Sequence, residues 1–316
     1  MKPILQDQQG LLPHYAAYRA HLCQADAGLD ERLRAGRMQR VRFASLAQSY
    51  DLLLLDAFGV LYRGAQVIEG APAALAALRQ AGRTWRVLSN NASQSPEQLA
   101  RQLTGMGFSI HPSELLTSGM AIRPFVAASP FCGLPYYWVG TTDSMADYGV
   151  EPERLCVNRW PGDGWQQARY ILLCSNRGYY GSPAQTQVEW LLDRQPLPIL
   201  LANPDLVTPE RGGGVSVVAG YTAAQWVERF HCERIGLGKP FAPLYALLRH
   251  HFPHLEPARC LMVGDTLDTD ILGGAAQGFA TCLTLSGAYA EREEELEAIC
   301  AQRGIRADFV VRSIAD

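Results

Sequence analysis

Residues 51–61, DLLLLDAFGVL, place four successive leucines directly before Asp56. A run of apolar residues without polar alternation is typical of a strand that is buried on both faces of a parallel sheet. Because burying the carboxylate that follows would be costly, we expect Asp56 to emerge at the C-terminal end of this strand. In open α/β sheets, ligands bind at that edge.

The same arrangement recurs twice farther along the chain. WRVLSNN at 85–91 places Ser89 and Asn90 after an apolar strand, and CLMVGD at 260–265 places Asp265 after another. Apolar strands that alternate with helices are typical of a parallel sheet covered by helices on both faces. The sequence therefore predicts an α/β protein with a Rossmann-like parallel-sheet core.

A second α/β unit is predicted inside this core. Residues 119–236 contain their own apolar strands and helices, enough for a separate inserted α/β domain. Residues 41–118 and 237–316 carry the pattern of the core. Residues 1–40 carry no motif and have loosely helical spacing, so we expect them to form an N-terminal helical extension.

The composition narrows the choice of partners. The chain of 316 residues has 28 Lys plus Arg against 31 Asp plus Glu, a formal net charge of -3, and no long basic block. This balance argues against nucleic acid as a partner. No stretch approaches the ~18 apolar residues of a membrane span, and the first residues do not resemble a signal peptide. We therefore expect a cytoplasmic protein without a membrane partner.

The aspartates at the predicted sheet edge need a nearby positive charge. Asp56 and Asp265 would bring two like charges together there, with Asp270 close behind in sequence. A hard cation such as Mg2+ would offset them, since it binds carboxylates, waters and phosphate oxygens. Lys239, in the stretch GLGKP, is a second candidate counter-charge, although an isolated lysine is more often simply exposed.

Four short motifs follow one another along the chain: DAFGVL at 56–61, LSN at 88–90, GKP at 238–240 and GDTLDTD at 264–270. Their order resembles that of the four motifs of the haloacid dehalogenase (HAD) superfamily. The stretches GVLYRG, TSGMA and ANPD, and the GDxxxxD spacing, resemble its class IIA, which includes NagD-type, pyridoxal and phospholysine/phosphohistidine phosphatases. The resemblance covers about residues 48–290 and implies a catalytic core with an inserted cap domain.

The resemblance also implies roles for the matching residues. Asp56 would attack phosphorus to form an aspartyl-phosphate, which water then hydrolyses. Ser89 would hydrogen-bond the transferring phosphoryl group, and Lys239 would stabilise its charge. The Mg2+ ligands implied in this way are Asp56, the backbone carbonyl of Phe58, Asp265 and Asp270.

The insert at 119–236 would be the cap, which excludes water and selects the leaving group of a small phosphorylated substrate. Asn203 and Asp205 belong to the family's cap pattern and, with Asn90 and Arg177, are the predicted substrate-binding residues. The loop around Arg177 either faces the substrate or is a solvated cap loop. Relatives in class IIA often dimerise through the cap, so a homodimer is also expected.

Phe58 departs from the family pattern. Family phosphatases usually carry a second aspartate at this position, which protonates the leaving group and later activates water. A phenyl ring can do neither. Positioned acid–base catalysis contributes ~10²- to 10⁴-fold, so substrates with poor leaving groups should be affected most.

Three interpretations of Phe58 remain open. The protein is an active hydrolase for good leaving groups such as phosphoramidates, anhydrides or aryl phosphates, as in the phospholysine/phosphohistidine branch, which also lacks that aspartate. In the second interpretation, Tyr62, Arg63 or a cap residue supplies the proton transfer. In the third, the chain is a catalytically impaired HAD-like binding or regulatory protein. The complete set of Asp56, Ser89, Lys239 and Asp265 counts against the third.

Overall fold

The computed structural model describes residues 4–5, 9–141, 148, 155–156, 163–209 and 215–316. The chain divides into two compact units, each described by itself below. The first unit comprises Met1–Gln8, Asn90–Ser95 and Thr117–Leu247. The second comprises Gln9–Ser89, Pro96–Leu116 and Leu248–Asp316.

Strands and helices alternate along most of the chain. The strands are β1 (Ile4–Leu5), β2 (Gln39–Arg40), β3 (Leu52–Leu55), β4 (Tyr62–Arg63), β5 (Gln66–Val67), β6 (Thr84–Ser89), β7 (Leu115–Thr117), β8 (Tyr136–Val139), β9 (Leu155–Cys156), β10 (Tyr170–Leu173), β11 (Ile199–Leu201), β12 (Val207–Pro209), β13 (Val215–Val217), β14 (Arg234–Gly236), β15 (Cys260–Gly264), β16 (Ala280–Thr284) and β17 (Phe309–Val311). The helices are α1 (Leu12–Ala25), α2 (Leu29–Ala35), α3 (Phe43–Leu46), α4 (Ala71–Gln80), α5 (Pro96–Gly105), α6 (Ile122–Ala127), α7 (Pro183–Arg194), α8 (Ala219–Phe230), α9 (Ala242–His251), α10 (Leu272–Ala276) and α11 (Leu296–Arg303). Among the described helices, none has the length and apolar character needed to cross a bilayer.

The second unit is built on a seven-stranded sheet in the order β2-β17-β16-β15-β3-β6-β7. The neighbouring strands from β2 through β6 run parallel. β3 lies near the middle, where Leu55 is in register with Val263 of β15 and Val87 of β6. The predicted α/β class with a parallel-sheet core is confirmed.

Burial on both faces explains why β3 has no polar alternation. Leu53 and Leu55 pack with Val87 and Val263 in one core cluster. Leu54, whose side chain points to the opposite face of the sheet, is also fully buried. Each such leucine contributes about 1.5–3 kcal/mol of burial free energy, so the strand is anchored firmly and the residue after it is held at the sheet edge.

The N-terminal residues of the second unit extend this sheet. β2 pairs in parallel with β17, and α2 packs against α10. Neither β2 nor β17 is predicted from the sequence, because strands of two or three residues are too short to show a hydrophobic period.

The first unit has its own five-stranded parallel sheet in the order β14-β11-β10-β8-β9. Its strands and helices α7 and α8 share a core that includes Tyr137, Leu173, Val188, Leu201 and Trp226. The first unit also contains a small antiparallel sheet in the order β1-β13-β12. The loops after β10, β11 and β14 carry three of the predicted site residues: Arg177, Asn203 and Lys239.

Candidate active site

The ends of two neighbouring strands in the second unit bring the predicted aspartates together. The backbone N–H of Asp56 donates to the carbonyl of Val263 at 2.8 Å, which aligns the ends of β3 and β15. Carboxylate oxygens of Asp56, Asp265 and Asp270 lie within 4.8 Å of one another. All three side chains are buried, with Asp56 only 8% exposed.

Backbone and hydroxyl donors orient the carboxylates of Asp265 and Asp270. The N–H of Ala288 donates to Asp265 Oδ2 at 2.7 Å, and Thr266 Oγ1 donates to Asp265 Oδ1 at 3.1 Å. The N–H of Thr266 donates to Asp270 Oδ2 at 3.1 Å. Asp270 itself lies in a π-helical turn, Leu267–Ile271, which turns its side chain back toward the end of β15. Such bonds fix the rotamers of carboxylates that would act as metal ligands.

Three glycines let the backbone pack directly against these carboxylates. A Cβ added at Gly59 would lie 2.2 Å from Cγ of Asp265, and one at Gly287 would lie 2.0 Å from its Oδ2. A Cβ at Gly264 would lie 2.1 Å from Cγ of Asp270. The site has no room for a side chain at any of the three positions.

The donor set fits a hard divalent cation. Three buried carboxylates at this separation repel one another strongly unless a positive charge offsets them. Carboxylate oxygens are the ligands that Mg2+ and Ca2+ prefer. The cluster of Asp56, Asp265 and Asp270 could therefore hold a metal ion.

If the cluster holds a divalent cation, Gly59→Ala is expected to weaken its binding about 10- to 100-fold, as happens when groups that support metal ligands are changed; Mg2+ is the probe. The new methyl group would displace the Asp265 carboxylate. Gly64→Ala is the matched control, because Gly64 also has a positive φ, 62° against 87°, but an open space around it. Both variants carry the left-handed strain of about 1–2 kcal/mol, which thermal unfolding would report. Equal Mg2+ affinities of the two variants by calorimetry would contradict the packing argument.

Phe58 lies two residues after Asp56 and is half-buried. Its ring makes an edge contact with the ring of Tyr62, with centroids 5.7 Å apart. Burial, and to a lesser extent the neighbouring Asp56 carboxylate, raise the pKa of Tyr62 to about 12. Tyr62 is therefore a neutral hydroxyl at physiological pH, and Phe58 itself carries no group that can transfer a proton.

Ser89 is the last residue of β6, the strand beside β3. It is buried, and it lies two positions beyond Val87, the partner of Leu55 in the sheet. Ser89 and Asp56 therefore emerge at the same edge of adjacent strands.

In the first unit, Asn90, Asp205 and Lys239 form a hydrogen-bonded group. Asn90 Oδ1 accepts from the backbone N–H of Lys239 at 2.7 Å. Asn90 Nδ2 donates to Asp205 Oδ1 at 2.8 Å and to the Lys239 carbonyl at 3.1 Å. The structure thus brings together three predicted site residues that are widely separated in sequence, and their predicted roles in substrate and phosphoryl binding remain predictions.

Asn203 and Arg177, also predicted to bind substrate, have different surroundings. Asn203 Oδ1 accepts from the backbone N–H of Asp205 at 3.0 Å, so its side chain shapes the loop. Arg177 is exposed in the loop after β10. Its neighbour Asn176 is buried and donates to the Val217 carbonyl at 3.1 Å. Substrate binding by Asn203 and Arg177 likewise stays a prediction.

The segment after β16 also contributes to the site, although no motif in the sequence marks it. Gly287 and Ala288 contact Asp265, and Ser286 Oγ donates to the Gly59 carbonyl at 2.6 Å. The available signal was the stretch ATCLTLSG at 280–287, where small and polar residues follow an apolar strand as they do after β3 and β15.

Comparison with known proteins identifies the family. Residues 53–150 match the model of the haloacid dehalogenase-like hydrolases, and residues 236–316 match a second model described as HAD-hydrolase-like. Glycerol-3-phosphate phosphatase from Homo sapiens is 30% identical, over 93% of this chain and 98% of that protein. The chain belongs to the HAD family of hydrolases.

Further relatives agree with this membership in the HAD family. Chronophin from Mus musculus is 28% identical, over 90% of this chain and 96% of that protein. The crystal structure of a HAD-superfamily protein from Cytophaga hutchinsonii superposes with a TM-score of 0.78 at 26% identity, covering 88% of this chain and 99% of that one. The predicted resemblance to HAD class IIA is confirmed, and so is the predicted enzyme class, a hydrolase acting on phosphate bonds.

Proposed function

We propose that this HAD hydrolase is a Mg2+-dependent phosphatase that removes the phosphoryl group of a small metabolite through an aspartyl-phosphate on Asp56. The observation that carries the proposal is the buried cluster of Asp56, Asp265 and Asp270 at the C-terminal sheet edge. The names of the relatives, glycerol-3-phosphate phosphatase among them, support a small phosphorylated substrate.

Asp56 is the nucleophile in this proposal. A carboxylate oxygen of Asp56 attacks phosphorus, the bond from phosphorus to the leaving group breaks, and water then hydrolyses the aspartyl-phosphate to regenerate the carboxylate. The Ser89 hydroxyl donates to an oxygen of the transferring phosphoryl group. Lys239 stabilises its negative charge. Because Lys239 and Asp56 belong to different units, this assignment to Lys239 rests on its place in the ordered motifs.

The proposed metal ligands are Asp56, Asp265, Asp270 and the backbone carbonyl of Phe58. Bound there, Mg2+ would neutralise the carboxylates and the phosphate dianion. The donors from Ala288 and Thr266 restrict the orientation of the Asp265 carboxylate, which supports its assignment as a ligand.

The substitution of phenylalanine for the second aspartate shapes the substrate range. Without a positioned acid at residue 58, the leaving group must depart with little protonation. Phosphoramidates, anhydrides and aryl phosphates meet this requirement, whereas alkyl phosphates do not. The neutral hydroxyl of Tyr62 is the alternative proton donor, since it is buried near Asp56.

We expect kcat/KM of the wild type to fall steeply as the leaving group becomes more basic, from aryl phosphates to glycerol 3-phosphate. Phe58→Asp should selectively raise kcat/KM for alkyl phosphates. The gain should be below the ~10²- to 10⁴-fold ceiling for acid–base catalysis, because the surrounding residues do not position the new carboxylate for proton transfer. Phe58→Asn is the matched control, since it has the same size as Asp but cannot transfer the proton. A flat wild-type series would show that another group supplies the proton, and Tyr62→Phe would then test Tyr62.

Phe58 also supports a second candidate function, a HAD-like binding or regulatory protein with impaired catalysis. A phosphate-release screen over phosphoramidates, pyrophosphate, aryl and alkyl phosphates separates the two candidates. If the wild type releases phosphate from any of these substrates and Asp56→Asn does not, the phosphatase is supported. If the wild type releases no phosphate but still binds Mg2+ and inorganic phosphate, the binding or regulatory function is supported.

A further inference from the structure

Both polar atoms of the Asn90 side-chain amide form hydrogen bonds with other protein groups. It is 3% exposed and forms the three bonds to Asp205 and to both backbone polar groups of Lys239. An amide that bonds the N–H and the carbonyl of one residue holds that residue much as a neighbouring strand would. The side chain of Asn90 therefore fixes the backbone at Lys239.

The chemistry of the partners fixes which way this amide points. A carboxylate can only accept, so Nδ2 must face Asp205, and a backbone N–H can only donate, so Oδ1 must face Lys239. The bond to Asp205 is assisted by charge and is stronger than one between neutral groups. Flipping the Asn90 amide would lose all three bonds at once.

Asp205 is itself held in place by the loop that carries it. Its N–H donates to Asn203 Oδ1, and its carbonyl accepts from the N–H of Gly220 at 2.9 Å, close to the start of α8. A Cβ at Gly220 would lie 2.3 Å from the Pro204 carbonyl oxygen, so the helix and the loop are in direct contact. The carboxylate that orients Asn90 thus has a fixed support.

Gly238 completes the packing next to Lys239. A Cβ at Gly238 would lie 2.4 Å from Asn90 Oδ1 and 2.8 Å from Pro204 Cδ. Only glycine allows the amide of Asn90 and the 203–205 loop to approach the chain together at this point. Lys239 itself is buried, with only 2% of its surface exposed.

We propose that Asn90 and Asp205 are positioning residues that clamp the backbone of Lys239 and so set the point from which its ammonium group extends. This positioning role is distinct from the substrate-binding role predicted for both residues, which remains a prediction. The proposal rests on the proposed function, in which Lys239 stabilises the phosphoryl group. Asn90 directly follows Ser89, the last residue of β6.

Exchanging the amide and the carboxylate tests the clamp. Asn90→Asp brings two carboxylates together and is expected to lower kcat about 10²-fold, with a smaller change in KM, as a misplaced catalytic group does. Asp205→Asn keeps an acceptor oxygen and should cost about 10-fold, since a charge-assisted bond becomes a neutral one. In the double variant, Asn90→Asp with Asp205→Asn, the amide at position 205 can donate to the carboxylate at position 90. Its kcat should be about 10-fold higher than that of Asn90→Asp alone, because the two residues interact directly.

Two comparisons separate positioning from substrate contact. The loss in Asn90→Asp should be the same factor for an aryl and an alkyl phosphate, because the clamp acts through Lys239 and not on the leaving group. Different factors, or a double variant no better than Asn90→Asp, would overturn the proposal. Wild-type kcat in Asn90→Asp would do so as well.

Hydrogen exchange provides a readout independent of activity. The buried Lys239 amide should exchange faster in Asn90→Ala than in the wild type, while amides of β15 in the second unit keep their protection. Unchanged exchange at Lys239 would contradict the clamp whatever the activity. If the wild type released no phosphate but this exchange difference appeared, the proposed function would fail and the clamp would stand.

Discussion

Asp56→Asn is expected to lower phosphate release by about 10⁴-fold or more, as removal of a catalytic nucleophile does. The amide has nearly the size of the carboxylate, but its oxygen is too weak a nucleophile to form the phosphorylated intermediate. The fold should survive, because Asp56 follows β3 and the substitution removes one of three mutually repelling charges. Phosphate release and thermal unfolding are the two measurements.

Asp51→Asn is the matched control for this variant. Asp51 immediately precedes β3, is exposed and pairs with Arg259 at 2.7 Å. An exposed ion pair contributes little to stability, about 0–1 kcal/mol, so the control should retain activity and stability. Turnover in Asp56→Asn near that of Asp51→Asn would show that Asp56 is not the nucleophile.

Removal of the metal is expected to abolish activity to a similar extent. Without a cation, the carboxylates of Asp56, Asp265 and Asp270 repel one another and the incoming phosphate dianion. EDTA should therefore stop phosphate release, and added Mg2+ should restore it. Asp265→Asn should raise the Mg2+ concentration needed for half-maximal rate, since it removes a charged ligand.

EDTA that has been saturated with Mg2+ before addition is the control for effects of the chelator itself. It should leave the rate unchanged. Full activity in excess free EDTA, after dialysis against the chelator, would show that the aspartate cluster works without a metal. Thermal unfolding under the same conditions would report whether the cluster also needs the metal for stability, because a bound ion stabilises the folded state.

Strand burial explains what could be predicted from sequence. Four leucines in β3 and the apolar run of β15 are buried on both faces, so their period and length directly indicate central parallel strands. An aspartate directly after such a strand has one sheet edge at which to emerge. The clustering of Asp56 with Asp265 follows from this local rule and from the adjacency of β3 and β15.

The details that the sequence did not predict depend on contacts between distant segments. The hydrogen bonds of Asn90 were not predicted, because its partners lie 115 and 149 residues away and nothing near Asn90 in the sequence indicates them. The contact of Gly287 with Asp265 depends in the same way on how the loop after β16 closes. A polar residue after a strand predicts the location of a site, whereas the direction of its side chain depends on the tertiary fold.

In the proposed mechanism, Phe58 affects both steps. An aspartate at position 58 would protonate the leaving group and then activate the water that hydrolyses the aspartyl-phosphate, and phenylalanine can do neither. If Tyr62 does not replace it, the second step is slow and the intermediate accumulates during turnover. A burst of leaving group, followed by a slower steady rate, is the kinetic sign of such accumulation.

Trapping of the phosphorylated enzyme tests the central claim most directly. The wild type would be mixed with Mg2+ and an aryl phosphate, quenched in acid during turnover, digested, and examined by mass spectrometry for the peptide that contains Asp56. We predict that this peptide gains the mass of one phosphoryl group, located on Asp56, and that Asp56→Asn shows no such gain. Steady phosphate release with an unmodified Asp56 peptide at every quench time, or with the phosphoryl group on another residue, would contradict the account.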